Sequence, residues 1–191
     1  SLTVEVPGRV LVRDLDFALP AGRMLVVLGR NGSGKSSTLH TLAGLRPAAG
    51  GSVQLDGREL GHWPRRELAR TLGLLPQLVD DPFPATALEA VLVGRHPHLD
   101  FWAWESTDDR NAAQRALAAV DLAGLEQRDI ATLSGGERRR LSIATILAQD
   151  PGVFLLDEPI HQLDPQHQMD VLRLFRGLAD AGRTVIVSLH D

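Results

Sequence analysis

Residues 29–36 read GRNGSGKS and match the pattern G-x-x-x-x-G-K-[ST] at every fixed position. This pattern indicates a phosphate-binding loop where a strand precedes it and a helix follows it. Both are expected here, because 24–28 is the apolar run MLVVL, typical of a fully buried strand, and 35–45 has a helical pattern. The order of strand, glycine-rich loop and helix predicts an α/β fold with a phosphate site.

Each part of the loop has a chemical task. Glycines allow backbone N–H groups to wrap around phosphates, and the N-terminus of the following helix favours negative charge. Lys35 supplies a cation to the β- and γ-phosphates, and Ser36 supplies a hydroxyl to Mg²⁺. The alternative is a chance glycine-rich turn, which the flanking strand and helix disfavour. The residues predicted to bind the nucleotide are Gly29, Arg30, Asn31, Gly32, Ser33, Gly34, Lys35, Ser36 and Ser37.

A pair of acidic residues follows a second apolar run, VFLLDE at 153–158. Open α/β sheets place their sites at the carboxyl ends of strands. Asp157 is predicted to hold Mg²⁺, directly or through water. Glu158 is expected to point the other way by strand alternation and to polarise an attacking water. The alternative is two solvated turn acids before Pro159, which has little weight beside a phosphate loop.

A second glycine-rich turn, LSGGE, begins another helix at 134–137. Ser134 and Glu137 form the capping-box pattern S-x-x-E, which is sufficient to begin a helix. The cap does not explain Gly135 and Gly136, because glycine destabilises a helix by about 1 kcal/mol. Missing side chains at a helix N-terminus do expose donors to a phosphate. The first loop already has its own nucleotide, so this turn is predicted to serve the nucleotide of a second copy across a twofold axis.

Composition limits the classes of function. The 191 residues suffice for one domain with a buried core, and the net charge of -4 gives no general basic field for nucleic acid. The absence of cysteine excludes disulfides, thiolate metal sites and cysteine nucleophiles. Because no apolar run approaches the ~18 residues of a membrane span, we expect any membrane association to go through a partner.

Strand and helix patterns divide the chain into an interrupted α/β core. Strands are expected at 2–6, 10–19, 24–28, 51–55, 71–75, 153–157 and 184–189, and helices at 35–45, 65–70, 86–93, 108–120, 135–149 and 165–180. From 78 to 149 the pattern is helical, so we predict one domain, 1–191, whose core (about 1–77 and 150–191) is interrupted by a helical subdomain.

Six elements now stand in the order that ABC-type ATPase domains carry them, and the chain resembles that family over essentially its whole length. The elements are GRNGSGKSS, Gln77 after a strand, LSGGE, VFLLDEP, Leu163-Asp164 and His190. The resemblance implies an α/β fold of the P-loop NTPase type. Its RecA-like core carries an antiparallel β subdomain and an inserted α-helical subdomain. It also implies a homodimer that sandwiches two ATP molecules, each with Mg²⁺.

The resemblance assigns roles to individual residues. Gln77 would sense Mg²⁺ and the γ-phosphate, and His190 would contact the γ-phosphate and orient the water. The implied catalytic set is Glu158, His190 and Gln77, and the implied Mg²⁺ set is Ser36, Gln77 and Asp157. The partner's ATP would face Ser134, Gly135, Gly136 and Glu137, and Asp164 would lie at the dimer interface. Family members usually continue beyond His190, so a truncated chain is expected. They also usually have an aromatic residue that stacks on adenine, at a position near Val6, whereas this chain has no aromatic residue before Phe17.

Three further stretches are similar to the ATPases of bacterial importers for iron-siderophores, haem and cobalamin. They are VGRHPHL at 93–99, SIATILAQDP at 142–151, where Thr145 replaces an arginine common in the family, and HQMD at 167–170. His96 and His98 could form a metal pair, although a loop packing on a permease is favoured because no other ligand type lies nearby. Arg138–Arg140 is interpreted as a solvated helix face with some role at the dimer interface or towards phosphate. The aromatic residues Trp63, Phe101, Trp102 and Trp104 belong either to the core or to a permease groove.

The favoured function is therefore the ATP-hydrolysing subunit of an importer. It would lie on the inner face of the cell membrane through permease subunits and act indirectly with a substrate-binding protein. Two alternatives remain open. One is a soluble ABC ATPase outside transport, and the other is a nucleotide-binding regulatory module with poor turnover.

Overall fold

The computed structural model describes residues 1–77, 84–100 and 104–190. In chain order these form β1 (Leu2–Val6), β2 (Arg9–Leu15), β3 (Met24–Leu28), α1 (Lys35–Leu42), β4 (Gln54–Leu55), β5 (Arg58–Glu59), α2 (Arg65–Thr71), β6 (Leu72–Leu75), α3 (Ala87–Leu92), α4 (Thr107–Ala119), α5 (Gly135–Gln149), β7 (Val153–Asp157), α6 (Pro165–Asp180) and β8 (Thr184–Leu189). Short 3₁₀ turns lie at Leu60–His62, Val93–His98 and Ile130–Thr132.

A parallel sheet of order β3-β8-β7-β6 forms the centre of the fold. Its strands are apolar and rich in β-branched residues and leucine, as expected for strands covered on both faces. Register pairs Leu28 with Leu189 and Asp157 with Ser188. The carboxyl ends of these strands therefore meet at one edge, where α/β sheets place their sites. The predicted α/β class is confirmed.

Strand β7 separates two hydrophobic clusters because its side chains alternate between the faces of the sheet. Phe154 packs edge-to-face on Phe175 of α6, with ring centroids 5.7 Å apart, in the cluster that also contains α3, α4 and α5. Leu155 lies in the other cluster with Leu39 of α1 and Val4 of β1. The sheet thus anchors the phosphate-loop helix on one side and the helices of the 84–149 region on the other.

Antiparallel strands β1 and β2 form a hairpin at the side of the core. A bridge between Thr3 and Gly50 connects the hairpin to the chain after α1. Val4 and Leu2 are buried in the second cluster, so the hairpin is fixed against α1. This places its tip, at Val6 and Arg9, near the phosphate loop.

Three strand predictions need correction. The expected strand 10–19 ends at Leu15, and 51–55 is reduced to Gln54–Leu55. The run MLVVL is not fully buried, because β3 lies at the edge of the described sheet, with Val26 44% and Leu28 62% exposed. A continuous apolar run cannot distinguish a central strand from an edge strand of the same sheet.

The aromatic residues have mixed outcomes. Trp63 is half-buried, and the guanidinium carbon of Arg58 lies 5.3 Å from the centroid of the Trp63 ring. Trp104 is 90% exposed and is therefore not in the core. Phe101 and Trp102 lie outside the described residues. Within the described ranges, none of the helices combines the length and the apolar composition that crossing a membrane requires.

Candidate nucleotide site

The loop between β3 and α1 needs its glycines for steric reasons. Gly32 (φ 75°) and Gly34 (φ 99°) have left-handed backbone conformations, which side chains disfavour. A Cβ on Gly34 would lie 2.9 Å from Cβ of Leu11 in the hairpin. Gly34 is also the N-cap residue of α1. The helix N-terminus is therefore presented at the inner side of the loop, the arrangement that binds phosphate.

A pocket of about 510 Å³ covers this loop. It is lined by loop residues Arg30, Asn31, Gly32, Ser33, Gly34, Lys35, Ser36 and Ser37, by Gln77 and Glu158, and by Val6, Arg9 and Leu11 of the hairpin. The predicted nucleotide-binding residues are thus brought together, with Gly29 behind them as a carbonyl partner of Lys35. The hairpin side of the pocket offers aliphatic and guanidinium groups in place of an aromatic ring.

Lys35 is the cation of this pocket. Its side chain is nearly buried, and Nζ donates hydrogen bonds to the carbonyls of Gly29 at 2.5 Å and Arg30 at 3.3 Å. Nζ also lies 3.7 Å from Oε1 of Glu158. The ammonium is therefore held between the loop and the acidic residue. This is a suitable position for binding a polyphosphate.

Glu158 is the point where the predicted catalytic residues meet. Its Oε2 accepts from Nε2 of Gln77 at 2.9 Å and lies 2.7 Å from Nε2 of His190. Strand alternation was the wrong reason for its direction, because β7 ends at Asp157 and Glu158 has a left-handed backbone with φ of 49°. That conformation is uncommon for a non-glycine residue and is concentrated at functional sites.

Asp157 is held by a residue that the sequence analysis did not identify. Its carboxylate is 1% exposed, and Oδ1 accepts from Oγ of Ser188 at 2.6 Å. The same Oγ accepts from the backbone N–H of Glu158 at 3.0 Å. Ser188 interrupts the apolar run of the strand TVIVSL after Val187, and this break was the available signal.

The donor set at this edge fits a magnesium ion bound together with nucleotide phosphates. Asp157, Ser36 and Gln77 offer a carboxylate, a hydroxyl and an amide, and Mg²⁺ prefers oxygen ligands with substrate phosphates completing its shell. In the ranges that the structure describes, no group of three or more His, Cys, Asp or Glu residues could hold a metal by itself.

The LSGGE turn does not line this pocket, and it begins α5 with the predicted capping box. The N–H of Glu137 donates to Oγ of Ser134 at 3.2 Å, and Oε2 of Glu137 accepts from the N–H of Ser134 at 2.7 Å. The Ser134 N–H, and then its hydroxyl, lower the pKa of the Glu137 carboxyl. A Cβ on Gly135 or Gly136 would meet Gln162 only at ordinary contact distances of 3.6 and 3.5 Å. Packing within this chain therefore does not require either glycine.

Asp164 caps helix α6. Its Oδ1 accepts from the N–H groups of Gln166 and His167, and its Oδ2 lies 2.6 Å from Nδ1 of His167. The His167 N–H, and then its ring, lower the pKa of the Asp164 carboxyl. This capping role is local, and the interface role of Asp164 stays a prediction.

Within Arg138–Arg140, the interpretation as a solvated face is wrong for Arg139, whereas Arg138 is exposed. Arg139 is 5% exposed, and its guanidinium donates to backbone carbonyls at the carboxyl ends of β6 and β7. Burial lowers its pKa to about 10, although the charges of Asp157 and Glu158 oppose this. Arg139 lies one and two helical turns before Ile143 and Ile146, both buried, and this spacing was the missed signal.

The VGRHPHL segment packs on α5. A Cβ on Gly94 would lie 2.2 Å from the carbonyl oxygen of Thr145, so only glycine fits this crossing. Arg95 pairs with Asp109 at 2.9 Å, and His98 Nε2 lies 2.8 Å from the carbonyl of Gln149. This contact engages one nitrogen of the proposed His96–His98 metal pair. The favoured alternative, contact with a permease, stays a prediction.

Comparison with known proteins gives a consistent result. The protein-family model described as "ABC transporter" matches residues 12–161 of this chain. The chain is 46% identical to the hemin import ATP-binding protein HmuV of Nocardia farcinica, over 97% of this chain and 64% of that protein. It is 39% identical to the probable siderophore transport system ATP-binding protein YusV of Bacillus subtilis, over 100% of this chain and 70% of that one.

Solved structures agree with the fold. The dimeric structure of MJ0796, a bacterial ABC transporter cassette, superposes with a TM-score of 0.82 at 26% identity, covering 100% of this chain and 85% of that one. A dimeric post-hydrolysis state of the same cassette, bound to ADP and Pi, gives the same TM-score and identity. The chain spans about two thirds of the length of the curated relatives, 64% and 70% for the two named above.

Proposed function

This chain belongs to the ABC transporter family as an ABC-type ATPase domain, and we propose from this premise that it is the ATP-hydrolysing subunit of an importer for haem or iron-siderophore complexes. The observation that carries the proposal is the cluster at Glu158, where Gln77, His190 and Lys35 meet beside the phosphate loop. The names of the hemin and siderophore relatives support the class of cargo. Cobalamin remains a further candidate.

In the proposed mechanism, the loop N–H groups and Lys35 bind the ATP phosphates. Mg²⁺, held by Ser36, Gln77 and Asp157, would neutralise phosphate charge when bound. Lys35 exchanges its contact with Glu158 for the phosphates, because a polyphosphate carries more charge than one carboxylate. Glu158, released from Lys35, then acts as general base for the attacking water. His190, 2.7 Å from Glu158, orients that water.

The proposed active form is a homodimer with ATP at two shared sites. Gly135 and Gly136 begin a helix whose first turn does not line this chain's own pocket, and packing within the chain does not require them. A twofold axis would bring the LSGGE turn of one copy to the nucleotide of the other. Asp164, capping the next helix, would then lie at the interface.

The proposed location is the inner face of the cell membrane, through permease subunits that receive cargo from a substrate-binding protein. The relatives named for hemin and siderophore import support this.

We also propose that residues 78–149 form a helical subdomain within a core of 1–77 and 150–191. The mutual packing of α3, α4 and α5 in one hydrophobic cluster supports this division. A soluble ABC ATPase and a regulatory module are the alternatives.

The test is turnover of ATP by the chain alone and in membranes with its permease. The Glu158→Gln variant keeps the shape of the side chain but loses its basicity. We expect it to bind ATP with unchanged affinity, to lose about 10²-fold or more in kcat, and to accumulate as an ATP-bound dimer. Turnover equal to that of the original chain would remove Glu158 from the role of base. Turnover that ignores the permease would favour a soluble ATPase.

A further inference from the structure

Arg139 connects helix α5 to two segments of the nucleotide site. Its guanidinium donates to the carbonyls of Pro76 at 2.8 Å and Gln77 at 3.3 Å, after β6. It also donates to the carbonyls of Asp157, the last residue of β7, and of Glu158 and Pro159, which follow it, at 2.7, 2.9 and 3.1 Å. All of these acceptors are main-chain atoms, so the contact fixes backbone position rather than pairing two side-chain charges.

The geometry suits arginine in particular. A guanidinium offers five N–H donors in a rigid plane, whereas a lysine ammonium offers three on a flexible stem. Five carbonyls from two converging segments use this plane fully. Burying a guanidinium without a directly bonded carboxylate is costly, and here its pKa falls to about 10. A residue that only filled space between α5 and the sheet could be apolar.

The two segments carry the residues whose side chains meet at the site. Gln77 follows β6 and Glu158 follows β7, and their amide and carboxylate lie 2.9 Å apart. A shift of either backbone would change that distance. Glu158 also has a left-handed backbone, φ 49°, which surrounding contacts must maintain. The carbonyl of Glu158 is one of the acceptors of Arg139.

We propose that Arg139 is a positioning residue that sets the geometry of the Gln77–Glu158 pair for ATP hydrolysis while leaving nucleotide binding to the phosphate loop. The proposal rests on the proposed ATPase function. Arg139 is absent from the lining of the phosphate pocket, so its influence on turnover acts through the backbone of the two residues. Because Arg139 follows the capping residue Ser134 by five positions on the same helix, it also ties the LSGGE turn to this pair.

The test compares Arg139→Met, which keeps side-chain length but removes the donors, with Arg140→Met on the same helix. Arg140 donates to the carbonyls of Val120 and Asp121, away from the pocket, and is the matched control. ATP affinity, KM and kcat are measured with the original chain in the same preparation. For Arg139→Met we expect ATP affinity and KM within about twofold and a fall in kcat of about 10- to 100-fold.

A double-mutant cycle separates positioning from general damage. If Arg139 acts through Glu158, adding Arg139→Met to Glu158→Gln lowers kcat by less than about twofold more, because the positioned base is already gone. Independent, multiplying losses would overturn the proposal. A parallel fall of ATP affinity and kcat in Arg139→Met, or the same kcat loss in Arg140→Met, would also overturn it.

The Arg139→Lys variant covers the case in which Arg139→Met does not fold. It keeps the charge and three donors, so we expect a folded protein whose kcat lies between those of the original chain and Arg139→Met. A folded Arg139→Lys chain with unchanged kcat would contradict the need for five donors. The proposed function fails separately, if the original chain shows no ATP turnover and Glu158→Gln changes nothing.

Discussion

Ser188→Ala tests how much the hydrogen bonds of Ser188 to Asp157 and Glu158 contribute to the stability of the fold. The Ser188 side chain is fully buried, and its hydroxyl donates to the Asp157 carboxylate at 2.6 Å. Losing a hydrogen bond to a charged group costs about 1.5–3 kcal/mol. The second bond, from the N–H of Glu158 to Oγ, has a partial replacement in the Ser188 carbonyl at 3.2 Å, so its loss costs about 0.5–1 kcal/mol. The expected total is about 2–4 kcal/mol.

This is a large share of a domain stability of about 5–15 kcal/mol, so urea unfolding followed by tryptophan fluorescence can measure it. The midpoint should fall while the slope stays constant, because the exposed surface on unfolding is unchanged. Half-maximal ATP turnover should also require more Mg²⁺, since Asp157 loses a contact that orients it. Ser142→Ala on α5 removes an exposed hydroxyl bonded to the Arg138 carbonyl and should stay within about 0.5 kcal/mol. Equal losses in the two variants would refute the reasoning.

Three other changes have defined outcomes. Lys35→Ala should weaken ATP binding itself by at least about tenfold in a direct titration, and retained affinity would contradict the phosphate-loop assignment. The hydroxyl of Ser106, and then Arg95, lower the pKa of the Asp109 carboxyl from 3.8 to about 2. The Asp109 carboxylate therefore stabilises the fold above pH 4. That contribution is lost as pH falls from 4 towards 2, so Asp109→Asn should flatten the stability–pH curve there, and an unchanged acid slope would contradict it. Gly135→Asp should leave ATP binding by one chain within about twofold but prevent ATP-driven dimerisation by charge repulsion, and a normal dimer would return LSGGE to a plain helix cap.

The phosphate loop could be predicted from sequence because its chemistry is contiguous. Strand, glycines, Lys35 and Ser36 follow one another within a few residues, and each has a local reason. The capping box at Ser134 is equally local, because its partner Glu137 is three positions away. The convergence of Gln77 and His190 on Glu158 could not be derived this way. The resemblance to a family grouped these three residues as catalytic, and the parallel register of the sheet gives the physical cause of their contacts.

Arg139 and Ser188 were missed for one shared reason, since their partners are distant in sequence. Ser188 bonds Asp157 31 positions away, and Arg139 bonds Pro76 63 positions away. Each reaches these partners only after the parallel sheet has formed. In sequence, Arg139 stands in a run of three arginines, and a charge run is usually solvated. Its spacing from buried Ile143 placed it on the inner face, where an arginine must find acceptors. The carbonyls at the carboxyl ends of β6 and β7 supply them, because there the sheet's hydrogen-bond ladder ends. The strand ends that form the nucleotide site thus leave buried carbonyls that require a donor. Arg139 of α5 supplies this donor, and the same helix begins at the LSGGE turn.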